Sequence, residues 1–234
     1  MEDLYELNGV KLGVPKDIGS DHLRRKLESG GYESDEARAA TRRVRPGQRV
    51  LEIGAGLGYV TTICAKKAGP ENVLSVEANP KMLPVIRANL DRNGCSKVEL
   101  MHAAVTGPIK DGETAPFYAG SSFWGGSLLP RDGWDLKGQE VPLLSISALL
   151  QAHRPHVVMM DIEGAEARMF SRKWPRFVQF LVMEIHPDRY ENDTVVQKIV
   201  DCMSASGLTY DHRTSAGRVL GFRRVRKREK SAQG

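Results

Sequence analysis

Residues 50–59 of this 234-residue chain read Val-Leu-Glu-Ile-Gly-Ala-Gly-Leu-Gly-Tyr, and they decide the fold. A short apolar segment at 49–53 runs into three glycines with the spacing G-x-G-x-G, and helix-forming residues follow at 59–67. Glycines permit positive φ angles and let a ligand approach the main chain closely, and a helix amino terminus presents unpaired N–H groups. The stretch therefore predicts a strand, a ligand-binding turn and a helix.

Strands and helices continue to alternate on the carboxyl side of this turn. The apolar patterns predict strands at 72–77, 97–102, 156–161, 177–184, 209–213 and 218–225. Helices are predicted from Asn79-Pro80 to Asn93-Gly94, at 145–152, from Gly164 onward and at 194–206, with a long irregular region at 106–138. Such alternation predicts an α/β fold, a parallel sheet covered on both faces and closed by a hairpin that adds an antiparallel edge strand.

The chain is expected to form one globular unit with a leader and a tail. A small hairpin around Asn8-Gly9 and helices at 20–29 and 34–44 make up the leader at 1–45. We expect the ligand-binding domain to span 46–226, and a basic, flexible tail to span 227–234.

The composition fits a globular protein, with 41% hydrophobic and 27% charged residues. The longest stretch without a formal charge, 115–130, is too polar to cross a bilayer. The acidic start of the chain lacks the apolar run of a secretory signal, and three cysteines cannot form a disulfide framework. We therefore expect a cytoplasmic protein without a membrane span.

The net charge of +5 is confined to one end of the chain. Residues 222–230 hold six basic residues and one acidic residue, which accounts for the whole excess. A nucleic-acid enzyme usually spreads its basic residues over a face. We therefore do not expect a nucleic-acid partner, and the sequence leaves the oligomeric state open.

Two acidic residues near the glycine turn indicate the ligand. Glu52 lies two residues before the first glycine, and Glu77 ends the next strand, where a carboxylate can accept both hydroxyls of an adenosine ribose. The glycine spacing differs from the dinucleotide pattern G-x-G-x-x-G, although an NAD enzyme stays open as an alternative. The combination resembles the motifs of class I S-adenosylmethionine-dependent methyltransferases, and this resemblance places Glu52 near the methionine part of the cofactor.

Further motifs resemble those of the FkbM family of methyltransferases. They are Gly-Tyr-Glu at 31–33, the glycine turn at 54–59, Glu-Ala-Asn-Pro at 77–80, Asp-Ile-Glu-Gly-Ala-Glu at 161–166, Glu-Ile-His-Pro at 184–187 and a Ser-Leu segment at 123–129. The resemblance covers 31–224, and the hexad at 161–166 is its most specific part. One departure is Gly56, where many members carry Asn. Another departure, from many class I relatives, is His-Ala-Ala-Val at 102–105, which lacks an acidic acceptor for the adenine amino group.

The resemblance implies a Rossmann-like class I methyltransferase with a mostly parallel, seven-stranded sheet and S-adenosylmethionine as cofactor. It implies O-methylation of a hydroxyl on a sugar or secondary metabolite, so that the partner is a small-molecule or glycan acceptor. The residues expected to bind the cofactor are Tyr32, Glu33, Glu52, Gly54, Ala55, Gly56, Gly58, Tyr59, Glu77, Ala78, Ala104 and Asp161.

Catalytic residues are expected at the carboxyl ends of the later strands, where open α/β sheets bind ligands. The candidates are Asp161, Glu163, Glu184 and His186. Asp161 is expected to contact the substrate or the methyl group, and His186 to accept the proton, unless it is a loop histidine bonded to backbone. Glu166 belongs either to this group or to the first turn of the next helix. Asp161 and Glu184 would suit Mg²⁺, but we expect no metal.

For the acceptor pocket, the sequence leaves alternatives open for both its lining and its substrate. The leader and the irregular region are expected to form a lid over it, with Phe117, Tyr118, Phe123 and Trp124 either lining it or simply packing a long loop. The (Asp/Asn)-Pro-Pro-aromatic motif of enzymes that methylate base amines is absent from the sequence. Methylation of RNA or protein, and cofactor binding without catalysis, remain the alternatives.

Overall fold

A computed structural model describes residues 2–110, 112–118, 126–128 and 138–225, and the secondary structure follows from these ranges. In chain order the strands are β1 (Glu2–Leu7), β2 (Val10–Pro15), β3 (Val50–Ile53), β4 (Val73–Glu77), β5 (Glu99–His102), β6 (Ala104–Thr106), β7 (Thr114–Phe117), β8 (Gln139–Ser145), β9 (Val157–Met160), β10 (Phe180–Glu184), β11 (Leu208–Tyr210) and β12 (Val219–Arg224). The α-helices are α1 (Asp21–Glu28), α2 (Ser34–Arg43), α3 (Tyr59–Ala68), α4 (Leu83–Arg92), α5 (Ile146–His153) and α6 (Thr194–Ala205).

The central sheet has seven strands in the order β11-β12-β10-β9-β3-β4-β5. Strands β10, β9, β3, β4 and β5 pair in parallel, while β12 is antiparallel to both of its neighbours. The order reverses between β3 and β9, so a crevice opens beyond the carboxyl ends of these two strands. Open α/β sheets bind their ligands at such a switch point.

The central strands β3, β4 and β9 are buried on both faces, as is usual in a parallel sheet. Val157 and Met159 of β9 pack into one hydrophobic core, and the alternating residues Val158 and Met160 pack into the other. The first core includes side chains of α2, α3 and α4, and the second includes side chains of α5 and α6. The expected layered α/β architecture is confirmed.

The leader packs into the first of these cores. Strands β1 and β2 form the expected hairpin, with Asn8 and Gly9 both at positive φ in its turn. The backbone of Gly13 exchanges two hydrogen bonds with the side chain of Asn89 on α4, at 2.7 and 3.2 Å. Ser20 caps α1 by accepting from the backbone N–H of Leu23.

Three expectations about individual elements are wrong. The closing hairpin forms, but its strand that runs antiparallel to β10, β12, lies between β10 and β11 and not at the edge of the sheet. Helix α4 begins at Leu83 rather than Pro80, and residues 80–82 form a separate turn in which the N–H of Met82 donates to the carbonyl oxygen of Asn79 at 3.0 Å. After Gly164 only a single 3₁₀ turn forms, at Ala165–Arg168.

The irregular region contains regular structure that the sequence analysis missed. Strand β8 pairs in parallel with β6 and antiparallel with β7, which gives a three-stranded sheet beside the central one. The basic tail and Phe123, Trp124 and most of the Ser-Leu segment lie outside the described residues. Within the described part of the chain, no helix is both long and apolar enough to cross a membrane.

Candidate functional site

The glycine turn after β3 depends on glycine for two different reasons. Gly54, Gly56 and Gly58 have φ angles of 87°, 54° and 79°, a region that L side chains rarely adopt. A Cβ atom at Gly54 would collide with the backbone carbonyl oxygen of Asp161, and one at Gly56 would lie 2.7 Å from the hydroxyl of Tyr32. The turn therefore brings the ends of β3 and β9 and the leader into direct contact.

Glu77 holds the turn from the neighbouring strand. Its Oε2 accepts from the N–H groups of Ala55 at 3.0 Å and Gly56 at 3.3 Å, and its Oε1 accepts from Asn79 at 2.8 Å. Burial raises the pKa of this carboxyl, although the backbone hydrogen bonds act in the opposite direction. The side chain lies at the carboxyl end of β4, where a bound ribose would meet it.

A first cleft, called here the switch-point cleft, opens above the turn with about 740 Å³ of empty space, part of it open to solvent. One side is apolar, formed by residues of β4, of the 103–105 segment and of the irregular region at 106–138. Its apolar members include Val76, Met82, Ala103, Val105, Phe117 and Leu128. Glu77 lies in the cleft, and Tyr32, Glu33, Asp161 and Glu163 line it as well. Such a combination suits a ligand with a flat apolar ring and a polar sugar.

A second cleft, called here the charged cleft, lies beside the first and has about 1110 Å³ of empty space. Tyr32, Glu33, Asp161 and Glu163 line both clefts, so the two share one wall. Its other ionisable residues are His22, Lys26, Asp35, Glu36, Glu184, His186, Arg189 and Arg218. Six carboxyl groups thus face three Lys or Arg side chains.

The shared wall begins at Tyr32 and Glu33 of the leader. The Tyr32 hydroxyl accepts from the N–H of Leu57 at 3.3 Å, and it donates to the carboxyl group of Glu33. Glu33 has a left-handed backbone with φ of 44°, and burial raises the pKa of its carboxyl well above the usual range. The Gly-Tyr-Glu motif therefore joins the leader to the glycine turn.

The wall continues in Asp161, Glu163 and His186, which lie together. The Nε2 atom of His186 is 3.6 Å from Asp161 Oδ1 and 3.6 Å from Glu163 Oε2. Arg189 forms an ion pair with Glu163 and donates to its carbonyl oxygen at 3.0 Å. Burial and the nearby Glu184 raise the pKa of Asp161 to about 7.

Glu166 fixes the orientation of His186. Its Oε1 accepts from His186 Nδ1 at 3.0 Å and from the Tyr190 hydroxyl at 2.7 Å, while its Oε2 accepts from the N–H of Gly164 at 2.7 Å. Burial lowers the pKa of His186, but the hydrogen bond to Glu166 and the charge of Asp161 outweigh it and raise the pKa. Glu166 makes both contacts that the sequence left as alternatives, since one oxygen bonds His186 and the other bonds the backbone at the start of the 3₁₀ turn.

The residues expected to bind the cofactor fall into two sets. Those that line the switch-point cleft are Tyr32, Glu33, Gly54, Gly56, Glu77, Ala78, Ala104 and Asp161. Those behind its wall are Glu52, Ala55, Gly58 and Tyr59. The Glu52 carboxylate is buried, where it accepts from the hydroxyls of Thr61 and of Ser75, the latter at 2.6 Å. The Tyr59 hydroxyl accepts from Asn8 at 2.6 Å.

The catalytic candidates all line the charged cleft, and the two aromatic candidates among the described residues, Phe117 and Tyr118, do not. Asp161, Glu163, Glu184 and His186 meet there. Phe117 lines the switch-point cleft instead, where its side chain packs in one small apolar cluster with Ala104 of β6 and Val141 of β8.

Several charged residues of the leader and the carboxyl-terminal half were missed by sequence reasoning. His22, Lys26, Asp35 and Glu36 line the charged cleft together with Arg189. Burial raises the pKa of Glu36 to about 7. Glu36 was readable only as a residue of the first helical turn, which is an ordinary place for an acid. Its burial depends on how the leader packs, and no local pattern shows that.

The sheet order and the cleft at its switch point define a Rossmann-like class I methyltransferase fold. The model of the Methyltransferase FkbM domain matches residues 52–223. The chain therefore belongs to the FkbM family of methyltransferases, as the motifs had indicated.

Known proteins resemble the chain mainly over short segments or in fold. The protein-L-isoaspartate O-methyltransferase of Methanococcoides burtonii is 38% identical over 61 residues, which is 26% of this chain and 30% of that protein. The ribosomal protein L11 methyltransferase of Thermus thermophilus is 44% identical over 57 residues, 24% of this chain and 22% of that protein. These alignments span less than a third of either relative's length.

A solved structure shows the same fold over nearly the whole chain. Trm5b from Pyrococcus abyssi superposes with a TM-score of 0.51 at 13% identity, covering 95% of this chain and 55% of that one. Identity this low supports the fold and nothing further.

Proposed function

We propose that this protein transfers the methyl group of S-adenosylmethionine to a hydroxyl of a sugar or another small polyhydroxylated metabolite. The observation that carries the proposal is the wall of Tyr32, Glu33, Asp161 and Glu163 between the two clefts. Methyl transfer requires donor and acceptor to meet at one point in line. Two adjoining clefts with a common polar wall supply that meeting point.

The switch-point cleft suits the cofactor. Glu77 would accept hydrogen bonds from the ribose hydroxyls, and Phe117 and Leu128 would pack against the adenine. Gly54 and Gly56 line the cleft together with Asp161, and the methionine end of the cofactor would lie beside them. Bound there, the cofactor supplies an electrophilic methyl group on a sulfonium sulfur.

The charged cleft suits an acceptor with several hydroxyl groups. Carboxylates accept hydrogen bonds from hydroxyls, and Asp161, Glu163 and Glu184 present such acceptors at one end of the cleft. As the acceptor oxygen bonds to the methyl carbon, the carbon–sulfur bond breaks and its electrons stay on sulfur. The hydroxyl proton then passes to a basic atom of this group.

A protein acceptor is the second candidate. The local similarity to a protein-L-isoaspartate O-methyltransferase favours it, because an acidic, open cleft also accommodates a polar peptide side chain.

The test is a screen of sugars, hydroxylated metabolites, peptides and RNA for the release of S-adenosylhomocysteine. We expect turnover with a polyhydroxylated small molecule, and at least a 100-fold loss in Asp161→Asn at saturating cofactor. The matched control is Asp193→Asn, which makes the same change at an exposed site. Turnover only with peptide or RNA would refute the small-molecule acceptor. Cofactor binding without turnover on any acceptor would refute the enzymatic proposal.

A further inference from the structure

Three side chains at the shared wall form a compact set of metal-ligand atoms. One carboxylate oxygen each from Asp161 and Glu163 and one ring nitrogen of His186 all lie within 4.8 Å of one another. The 3.6 Å separations from His186 Nε2 are too long for hydrogen bonds. They are close to the spacing of two ligands on one ion, which is roughly 3–3.5 Å for metal–ligand bonds of about 2.0–2.2 Å.

Two of these ligand atoms, Asp161 Oδ1 and Glu163 Oε2, are buried and make no hydrogen bond among the described residues, although Glu163 Oε2 forms an ion pair with Arg189. The His186 side chain is only 5% exposed, and its Nε2 lies 3.6 Å from both carboxylates, too far for a hydrogen bond to either. Buried polar atoms are normally satisfied. A cation bound between these atoms would explain why they lack hydrogen bonds.

The set is also held in place for ligation. Glu166, which is fully buried, accepts from His186 Nδ1 and so directs Nε2 toward Asp161 and Glu163. A carboxylate behind a histidine is the usual arrangement behind a metal ligand, because it fixes the tautomer and the ring orientation. Glu163 adopts a left-handed backbone with φ of 58°, a conformation that costs energy in a non-glycine residue and clusters at functional sites.

We infer that Asp161, Glu163 and His186 bind a divalent cation such as Mn²⁺ or Mg²⁺. The two carboxylates suit these ions, the imidazole nitrogen adds a ligand typical of transition metals, and three protein ligands leave coordination positions for oxygen atoms of the acceptor. Arg189 already contacts Glu163, so the ion would share that carboxylate with the guanidinium. The ligand set differs from the Asp161–Glu184 pair that the sequence suggested.

The role of the ion rests on the proposed function. A cation at this wall would bind the acceptor hydroxyl and lower its pKa, so that its oxygen attacks the methyl carbon while the proton leaves to a free carboxylate of the charged cleft. Binding of the ion itself does not depend on that role. It is therefore tested without cofactor or acceptor.

The experiment is a titration of the chelator-treated full chain with Mn²⁺, followed by electron paramagnetic resonance of free Mn²⁺, with Mg²⁺ as competitor. We expect one site per chain. Asp161→Asn, Glu163→Gln and His186→Ala should each weaken Mn²⁺ binding at least tenfold, and Glu166→Gln about 10–100-fold through the histidine. The control Asp193→Asn should bind as the unmodified chain does.

The result that overturns the inference is absence of binding at 1:1 stoichiometry up to about 1 mM Mn²⁺, an affinity weaker than that of the weakest protein calcium modules. If Asp161→Asn and Glu163→Gln bound Mn²⁺ as tightly as the unmodified chain, the inference would be overturned as well, since the ion would then lie elsewhere. Circular dichroism of each variant establishes that it is folded. Methyl transfer that persists in chelator alongside absent Mn²⁺ binding would refute the metal site and leave the proposed function intact.

Discussion

The two clefts share a wall but are built in different ways. The switch-point cleft is built on the backbone of the glycine turn at Gly54 and Gly56, with Glu77 accepting from the turn itself and apolar side chains on its lining. The charged cleft consists of long polar side chains that come from the leader and from the ends of β9, β10 and β12. The first depends on backbone conformation, whereas the second depends on how distant segments pack. Substitutions should therefore affect the two clefts by different physical routes.

The largest expected effect is at the backbone of the switch-point cleft. Gly54→Ala should lower the free energy of unfolding by at least about 3 kcal/mol, because the left-handed φ and the collision with the Asp161 carbonyl add together. Thermal or denaturant unfolding measures this loss. Gly47→Ala is the matched control: its φ is 76° and no neighbouring atom lies within 4 Å. It should cost only about 1 kcal/mol, and equal losses would mean that the collision contributes nothing.

Glu77→Gln should weaken S-adenosylmethionine binding by about 2 kcal/mol, or roughly 30-fold, since a charge-assisted hydrogen bond to the ribose is lost. Calorimetry of the cofactor measures this effect. Turnover at saturating cofactor should change little. The exposed Glu71→Gln serves as control. Unchanged cofactor affinity in Glu77→Gln would contradict the placement of the ribose at the end of β4.

The buried Glu52 beneath the turn gives a pH dependence. Burial raises its pKa to about 7, so between the ordinary value of 4.5 and 7 the folded chain keeps a proton that the unfolded chain releases. Stability is therefore full below pH 4.5 and falls as the pH rises through 7. Glu52→Gln should flatten the fall by about 1–2 kcal/mol between pH 5 and 8. Denaturant unfolding across this pH range measures the effect, with the exposed Glu99→Gln as control. If Glu52→Gln lost as much stability between pH 5 and 8 as the control does, the argument from burial would be contradicted.

The smallest effect is expected in the charged cleft. Glu184→Gln should lower kcat/KM for the acceptor about 5–10-fold, close to 1 kcal/mol, because one acceptor of a substrate hydrogen bond is weakened. Cofactor affinity should stay the same, since Glu184 does not line the switch-point cleft. Exposed Glu191→Gln is the control. A loss of cofactor affinity in Glu184→Gln would show that the two clefts are not separate in function.

The fold could be predicted because it depends on local patterns. The glycine turn, the burial of β9 and the Asn8-Gly9 hairpin each follow from a few consecutive residues. The errors arise where a non-local contact decides. Strand β12 pairs with all five residues of β10 and therefore lies between β10 and β11. The sequence of the terminal hairpin does not show which of its two strands pairs with β10.

Only those parts of the site that depend on local patterns could be predicted from the sequence. Residues tied to strand ends, such as Glu77 and Asp161, lie in the clefts as expected. Glu52 and Tyr59 share the motif with them, but their side chains point away from the cleft into hydrogen bonds with Ser75 and Asn8. Direction alternates along a strand, and whether Glu52 or its neighbour faces the ligand depends on packing.

The central claim is that the cofactor occupies the switch-point cleft and delivers its methyl group across the shared wall. A crystal structure of the chain with S-adenosylhomocysteine tests it most directly. The account predicts ribose hydroxyls at Glu77 and the sulfur beside Asp161, facing the charged cleft. A product bound in the charged cleft, or a sulfur atom that points away from Asp161, would contradict it.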